Sequence, residues 1–351
     1  METVTLGNGR EIGDGEPPYL IAEIGANHNG DMDLCRRLID AAKSAGADAA
    51  KFQSWSPESL ISRAEYARHT SYSDTRRHFG SLRDMVERYQ LTPSQHRLVA
   101  EYCAAVDIDF LSTPFSRPEV DLLVELGVPA LKIASMDVNH EPLLEYVASA
   151  DLPVLLSTGM ASASEVAGAV ETLRSAGCDQ LVLLHCVSIY PPDLATINLR
   201  NISGLRQAFD CPVGFSDHTL GAAVPLAAIA LGACLIEKHF TLDSDLEGWD
   251  HAISADPEEL AFIASGGQSI WQALGSTVRT VTAAELEKRR QFRRRIVVTR
   301  DIKRGELLTE ADLDYKRPGT GIAPNERRYV IGRRAARSLA ADDELEWSDL
   351  E

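Results

Sequence analysis

The sequence predicts a (β/α)8 barrel followed by a small, separate C-terminal domain. Three observations carry this prediction. Eight short apolar runs recur between residues 19 and 241. Segments of helical period separate them. After about residue 280 the alternation stops.

The runs, in order, are YLIAEIG (19–25), AAKFQS (49–54), DFLSTPF (109–115), ALKIAS (130–135), PVLLSTG (153–159), QLVLLHCVS (180–188), PVGFSDH (212–218) and CLIEKHFT (234–241). Their length and their Val, Ile and Phe content fit buried parallel strands. Between them, DLCRRLIDAAKSAG (33–46) sets Leu34, Leu38, Ala41 and Ala42 on one helical face. The segments 94–106, 119–127, 141–150, 163–177 and 258–275 repeat the pattern, and several end in Ala-Gly or Leu-Gly, a helix stop signal. Eight β–α units in series close more readily into a barrel than into an open sheet. One long insertion, about 55–92, follows the second strand. It carries Tyr66, His69, Tyr72, Arg76, Arg77 and His78 and reads as an excursion over the barrel mouth. We therefore expect a barrel over 1–283, a charged connector over 284–293 and a second domain over 294–351.

Composition narrows the function. The chain of 351 residues has 35 basic and 52 acidic side chains, a net charge of −17. That excess speaks against a nucleic-acid or anionic-membrane partner. The N-terminus shows no basic, apolar secretory pattern, and the run AAVPLAAIALGACLI is too short to span a bilayer. Six scattered cysteines without a C-x-x-C pair read as reduced thiols of a cytoplasmic protein.

Barrel chemistry sits at the C-terminal ends of the strands. Taken in order, those ends offer Glu23, then Lys51 and Gln53, Ser112 and Thr113, Lys132 and Ser135, Ser157, then His185, Ser188 and Tyr190, then Ser216 and His218, and finally Glu237 and His239, with Asp250 and His251 in the last loop. Lys51 and Lys132 interrupt apolar strands. A buried lysine requires an anion. Either Glu23 and Glu237 supply it as ion pairs, or the lysines and the hydroxyls of Thr113, Ser135, Ser157 and Ser216 form a pocket for a phosphate or carboxylate. His218 and His239 end neighbouring strands, about 4.8 Å apart. Each could be a hydrogen-bonded core residue, or both could share a divalent metal with open coordination positions for substrate oxygen. Strand alternation is expected to turn Asp217 and Glu237 away from the histidines.

The motifs AEIGANHNGD, KFQ, LSTPFS, LKIAS, LLSTGM, FSDHT, IEKHFT, GWDHAIS and, in the tail, DIKRGELLTEADLDYKRPGTGI come in a fixed order. Together they resemble the N-acetylneuraminate (sialic acid) synthase family over nearly the whole chain. The resemblance implies a barrel followed by a small antifreeze-like (SAF) domain. It implies a domain-swapped homodimer, each small domain capping the partner's barrel. The implied transferase condenses phosphoenolpyruvate with an N-acylated aldose such as N-acetylmannosamine, giving a nonulosonic acid and phosphate, with manganese or magnesium on His218 and His239. Lys51, Thr113, Lys132, Ser135, Ser157, Ser188 and Ser216 would hold phosphoenolpyruvate. Glu23, Gln53, Tyr190, Asp250 and, across the dimer, Arg317 would meet the sugar, with Glu23 suited to proton transfer. The chain departs from the family pattern at Ser188, where an Asn is usual, and at Trp249, where a Pro is common. His251 resembles the neuraminate and legionaminate branch. The competing readings are a metal-dependent keto-acid aldolase on the same barrel, and a relative acting on a diacetamido-trideoxy hexose or mannose. An ice-binding role for the tail conflicts with its Arg, Asp and Glu content.

Overall fold

The computed structural model describes residues 3–71, 80–317 and 319–351. Tyr72, Arg76, Arg77 and His78 of the insertion lie outside them. The chain divides into two compact units, Met1–Gly275 and Ser276–Glu351.

Eight parallel strands build the first unit. They are β1 (Tyr19–Gly25), β2 (Ala49–Ser54), β3 (Asp109–Pro114), β4 (Leu131–Ile133), β5 (Val154–Ser157), β6 (Leu181–Cys186), β7 (Val213–Asp217) and β8 (Leu235–His239). The hydrogen-bonded order is β3-β2-β1-β8-β7-β6-β5-β4, and β3 lies beside β4 to close the barrel. The first two predicted runs match their strands, and the other six shorten by one to three residues in all at their ends. Ser135 opens a 3-10 turn after β4, and β6 ends at Cys186. Helices fill the connections. That over Ala163–Ser175 starts with a capping box, Ser162 and Glu165 each satisfying the other's backbone N–H, worth about 1 kcal/mol.

Strand parity sorts the side chains. One parity, including Ala22, Phe52, Ile133, Leu183, Phe215 and Ile236, packs outward against the helices. The other parity faces the barrel axis. Low in the barrel it is apolar, with Tyr19, Ile21, Leu155, Leu184 and Leu235. An antiparallel hairpin, Thr3–Thr5 with Glu11–Gly13, adds Val4 and Ile12 to that cluster and plugs the lower end. Higher up, the inward parity turns polar and forms the site described below. Among the described residues no helix is long and apolar enough to cross a membrane.

The second unit holds the helix Ala283–Phe292 and an antiparallel pair, β9 (Arg295–Val298) with β10 (Leu313–Lys316). Ile296, Val298, Ile302, Leu308 and Leu345 form its own core.

Candidate active site

Two residues above the apolar layer, the inward positions carry four buried charges: Glu23, Lys51, Lys132 and Glu237, each no more than 6% exposed. Strand register aligns them. Glu23 pairs with Lys51 across β1 and β2, and Glu237 lies level with Ser216 across β8 and β7. Lys51 Nζ sits 2.7 Å from Glu23 Oε2 and 3.8 Å from Glu237 Oε2, and donates to Thr113 Oγ1 at 3.1 Å. Lys132 Nζ donates to Ser157 Oγ at 2.7 Å and lies 3.6 Å from Glu237 Oε1. Ser216 Oγ donates to Glu237 Oε1 at 3.0 Å. The lysines are thus paired with Glu23 and Glu237, as one reading of the sequence anticipated, while Thr113 and Ser157 accept from the lysines and Ser216 donates to Glu237.

Glu237 requires a correction. It was expected to turn away from the histidines; instead it faces the axis between the two lysines. Glu237 and His239 are two residues apart, so alternation puts them on one face. Asp217, one residue before His218, does turn outward. There Lys238 Nζ meets Asp217 Oδ2 at 2.9 Å, with both side chains fully buried.

The electrostatics follow from burial and neighbours. Burial lifts Glu23 above the ordinary carboxylate range, against the pull of Lys51. Burial would lift Glu237 too, but Lys132 and Lys51 outweigh it and hold that carboxyl below its usual value. Burial also holds Lys132 below the usual lysine value.

About 6–7 Å further along the strands, His218 and His239 stand side by side, ring centroids 5.4 Å apart. His218 Nδ1 lies 2.8 Å from Val187 O. Burial would lower this ring, but Cys186 and that carbonyl outweigh it and raise His218 above the usual histidine value; the contact places a proton on Nδ1. His239 is kept neutral by burial and then by the charges of His218 and Lys51. Its buried Nδ1 has no hydrogen-bond partner and lies 3.7 Å from Asp250 Oδ2. Burial, with the nearby Glu23 charge, pushes Asp250 up to about 7. Among the described residues no group of three or more His, Cys, Asp or Glu side chains is arranged to hold an ion. The two imidazoles, one with an orphaned ring nitrogen, form a donor set that suits a divalent cation.

The remaining candidates fall on two sides of the mouth. Ser135 and Ser188 flank Gly159 on the β4–β6 side. Gly159 N–H donates to Ser135 Oγ at 2.9 Å. A Cβ at Gly159 would lie 2.3 Å from Ser188 Oγ and 2.8 Å from Ser135 Oγ, so any larger residue would push both hydroxyls out of place. Sequence reading missed this glycine; its signal was the LSTG turn. Gln53 lies on the opposite side and donates to Glu23 Oε1 at 2.7 Å. Tyr190 is half exposed, its ring centroid 4.0 Å from that of His218. Arg317 is exposed in the second unit, its guanidinium 5.5 Å from the Phe292 ring centroid. His251 is fully buried and contacts Thr241 Oγ1 at 2.6 Å, tying the last loop together.

Fold and site define a barrel enzyme with a charged, hydroxyl-lined well beneath two histidines. Residues 38–279 match the model of the NeuB family and residues 293–351 that of the SAF domain, so the chain belongs to the NeuB family. It is 38% identical to an N,N'-diacetyllegionaminic acid synthase of Legionella pneumophila over 99% of this chain and 100% of that one. It is 34% identical to a pseudaminic acid synthase of Helicobacter pylori, over 96% and 98% of the two chains. A crystal structure of N-acetylneuraminic acid (sialic acid) synthetase from Leptospira borgpetersenii, in complex with citrate, superposes with a TM-score of 0.74 at 38% identity, covering 82% of this chain and 95% of that one. The chain is accordingly an enzyme of the nonulosonic acid synthase type.

Proposed function

We propose that this enzyme condenses phosphoenolpyruvate with an N-acylated aldose to give a sialic-type nonulosonic acid and phosphate. One observation carries the reading: two buried lysines, bonded to hydroxyls, lie directly below two histidines. A ligand with both a phosphate and a carboxylate matches two separate cations better than a keto acid alone does. Lys51 with Thr113, and Lys132 with Ser157, Ser135, Ser188 and Ser216, would grip the two anionic groups. The bound anion would compete with Glu23 and Glu237 for the lysines.

In this reading, carbon 3 of the enolpyruvate bonds to the aldehyde carbon, and the aldehyde oxygen takes up a proton. Water adds at carbon 2 and loses a proton. The carbon–oxygen bond to phosphate then breaks as the carbon 2 hydroxyl passes its proton to the departing phosphate, leaving the keto group. Glu23, lifted by burial and held by Gln53, sits where it can move one of these protons. Asp250 and Gln53 would hold sugar hydroxyls, and Tyr190 would pack over the histidine side of the mouth. A manganese or magnesium ion held by His218 and His239 would polarise the aldehyde carbonyl.

The active form in this proposal is a domain-swapped homodimer, with the second unit capping the partner's mouth and Arg317 reaching the N-acyl group. Its support is an exposed apolar rim: Met136, Met160, Ile189 and Leu220, on the loops after β4 to β7, are each at least 59% exposed. Six free, buried cysteines fit a reducing cytoplasm. The test is phosphate release from phosphoenolpyruvate across a panel containing N-acetylmannosamine, a diacetamido-trideoxy hexose and mannose, with mass spectrometry of the product. Keto-acid formation without phosphate release would select the aldolase chemistry instead.

A further inference from the structure

The mouth has an apolar wall beside the well, and one residue of the last loop is built into it. Trp249, directly before Asp250, is half-buried. Its ring centroid lies 6.1 Å from that of Trp55, edge-on, and 6.4 Å from that of Tyr89. Trp55 is buried just past β2, and its indole N–H donates to Val86 O at 3.2 Å. Val86 and Tyr89 belong to the helix Leu82–Tyr89 of the long insertion. That helix is held tightly against the β1 loop. A Cβ at Gly30, whose φ is +76°, would lie 2.5 Å from Arg88 O. The helix Leu82–Tyr89 is therefore a fixed surface, and Trp249 presses the last loop onto it.

Asp250 depends on that loop for its aim. Ser254 Oγ donates to Asp250 O at 2.7 Å, which holds the backbone on the C-terminal side. On the N-terminal side, Asn29 Nδ2 donates to Glu247 O at 2.7 Å, two residues before Trp249. Between these ties the Trp249 ring is the large anchored group. The carboxylate it presents stands 3.7 Å from His239 Nδ1.

We infer that Trp249 is a positioning residue for the sugar acceptor: wedged against Trp55 and Tyr89, it sets Asp250 against His239 and couples the helix Leu82–Tyr89 to acceptor binding. The inference rests on the synthase reading of the site. Phosphoenolpyruvate, gripped on the lysine side, is indifferent to it.

The test compares wild type, Trp249→Ala and Trp249→Phe in the full-length enzyme, with phosphoenolpyruvate and the aldose that wild type turns over best. Trp249→Ala raises KM for the aldose roughly tenfold, the scale on which a small misplacement acts. KM for phosphoenolpyruvate stays within about twofold, and Trp249→Phe restores most of the loss because an aromatic wedge remains. In parallel, amide hydrogen exchange of segment 241–251 speeds up roughly tenfold in Trp249→Ala but not in Trp249→Phe. An unchanged aldose KM, or equal rises for both substrates, overturns the inference. So does unchanged exchange in Trp249→Ala. If wild type releases no phosphate with any aldose, the synthase reading fails, while the exchange comparison still decides whether the wedge exists. Should Trp249→Ala aggregate, Trp249→Leu replaces it, with the same outcomes required.

Discussion

Replacing Lys132 by Met tests whether the charged layer is balanced as its geometry implies. The layer holds Glu23, Lys51, Glu237 and Lys132, two charges of each sign, all buried. Removing Lys132 leaves Glu237 with Lys51 at 3.8 Å and the Ser216 hydroxyl at 3.0 Å. Breaking one partner of a buried pair destabilises by roughly 3–5 kcal/mol. For a unit of this size, about 2–4 °C per kcal/mol makes that a melting shift on the order of 10 °C. The loss depends on pH. In wild type, Lys132 and Lys51 together hold Glu237 below its usual value despite burial. Without Lys132, burial dominates and the folded-state pKa rises above the unfolded one. A group raised in this way favours the folded state below its unfolded pKa and loses that contribution as pH rises through the folded value. The deficit is therefore largest near about pH 8 and shrinks toward about pH 5.5 as Glu237 takes a proton. Adding Glu237→Gln restores neutrality, and the double variant should recover all but about 1–2 kcal/mol. Thermal melts of wild type, both single variants and the double variant at the two pH values measure this. A Lys132→Met deficit equal at both pH values, or a double variant no better than the single, would refute the balanced-layer account.

Further predictions concern the chemistry. Chelation should abolish phosphate release and manganese restore it, while His218→Ala and His239→Ala should stay inactive at metal concentrations that saturate wild type; full activity in stripped enzyme contradicts the metal reading. Gly159→Ala places a methyl 2.3 Å from Ser188 Oγ and should raise KM for phosphoenolpyruvate or lower kcat by roughly a hundredfold, with a normal far-ultraviolet circular dichroism spectrum confirming the fold. Arg317→Ala should raise KM for an N-acylated aldose while leaving that for phosphoenolpyruvate unchanged, measured in the same assay.

The barrel was legible because parallel strands buried on both faces announce themselves as short apolar runs. The well was legible because lysine cannot sit in such a run without a partner, so Lys51 and Lys132 stood out. Glu237 was expected to behave like Asp217, but it stands two residues from His239 and so shares its face, whereas Asp217 stands one residue from His218 and does not. Strand ends at Ser135 and Val187 were overrun because a 3-10 turn and an extended loop keep strand-like composition. The Trp55, Tyr89 and Trp249 cluster was hidden for a different reason. Its members come from separate loops, and no local period links residues that only meet in the folded chain. The side on which Ser188 and Gly159 crowd together was hidden in the same way.

The hairpin of residues 3–13 gives the barrel a floor. With Val4 and Ile12 sealed against Tyr19 and Leu235, the site is a well with one opening, and its contents must be stacked. Whatever anion settles on the lysine layer has to arrive before a ligand at the histidines above it, and an anion left there, as released phosphate would be, has to depart after the upper product. Catalysis in such a vessel is first in, last out. The lower product should then inhibit competitively against the lower substrate, but not against the upper one.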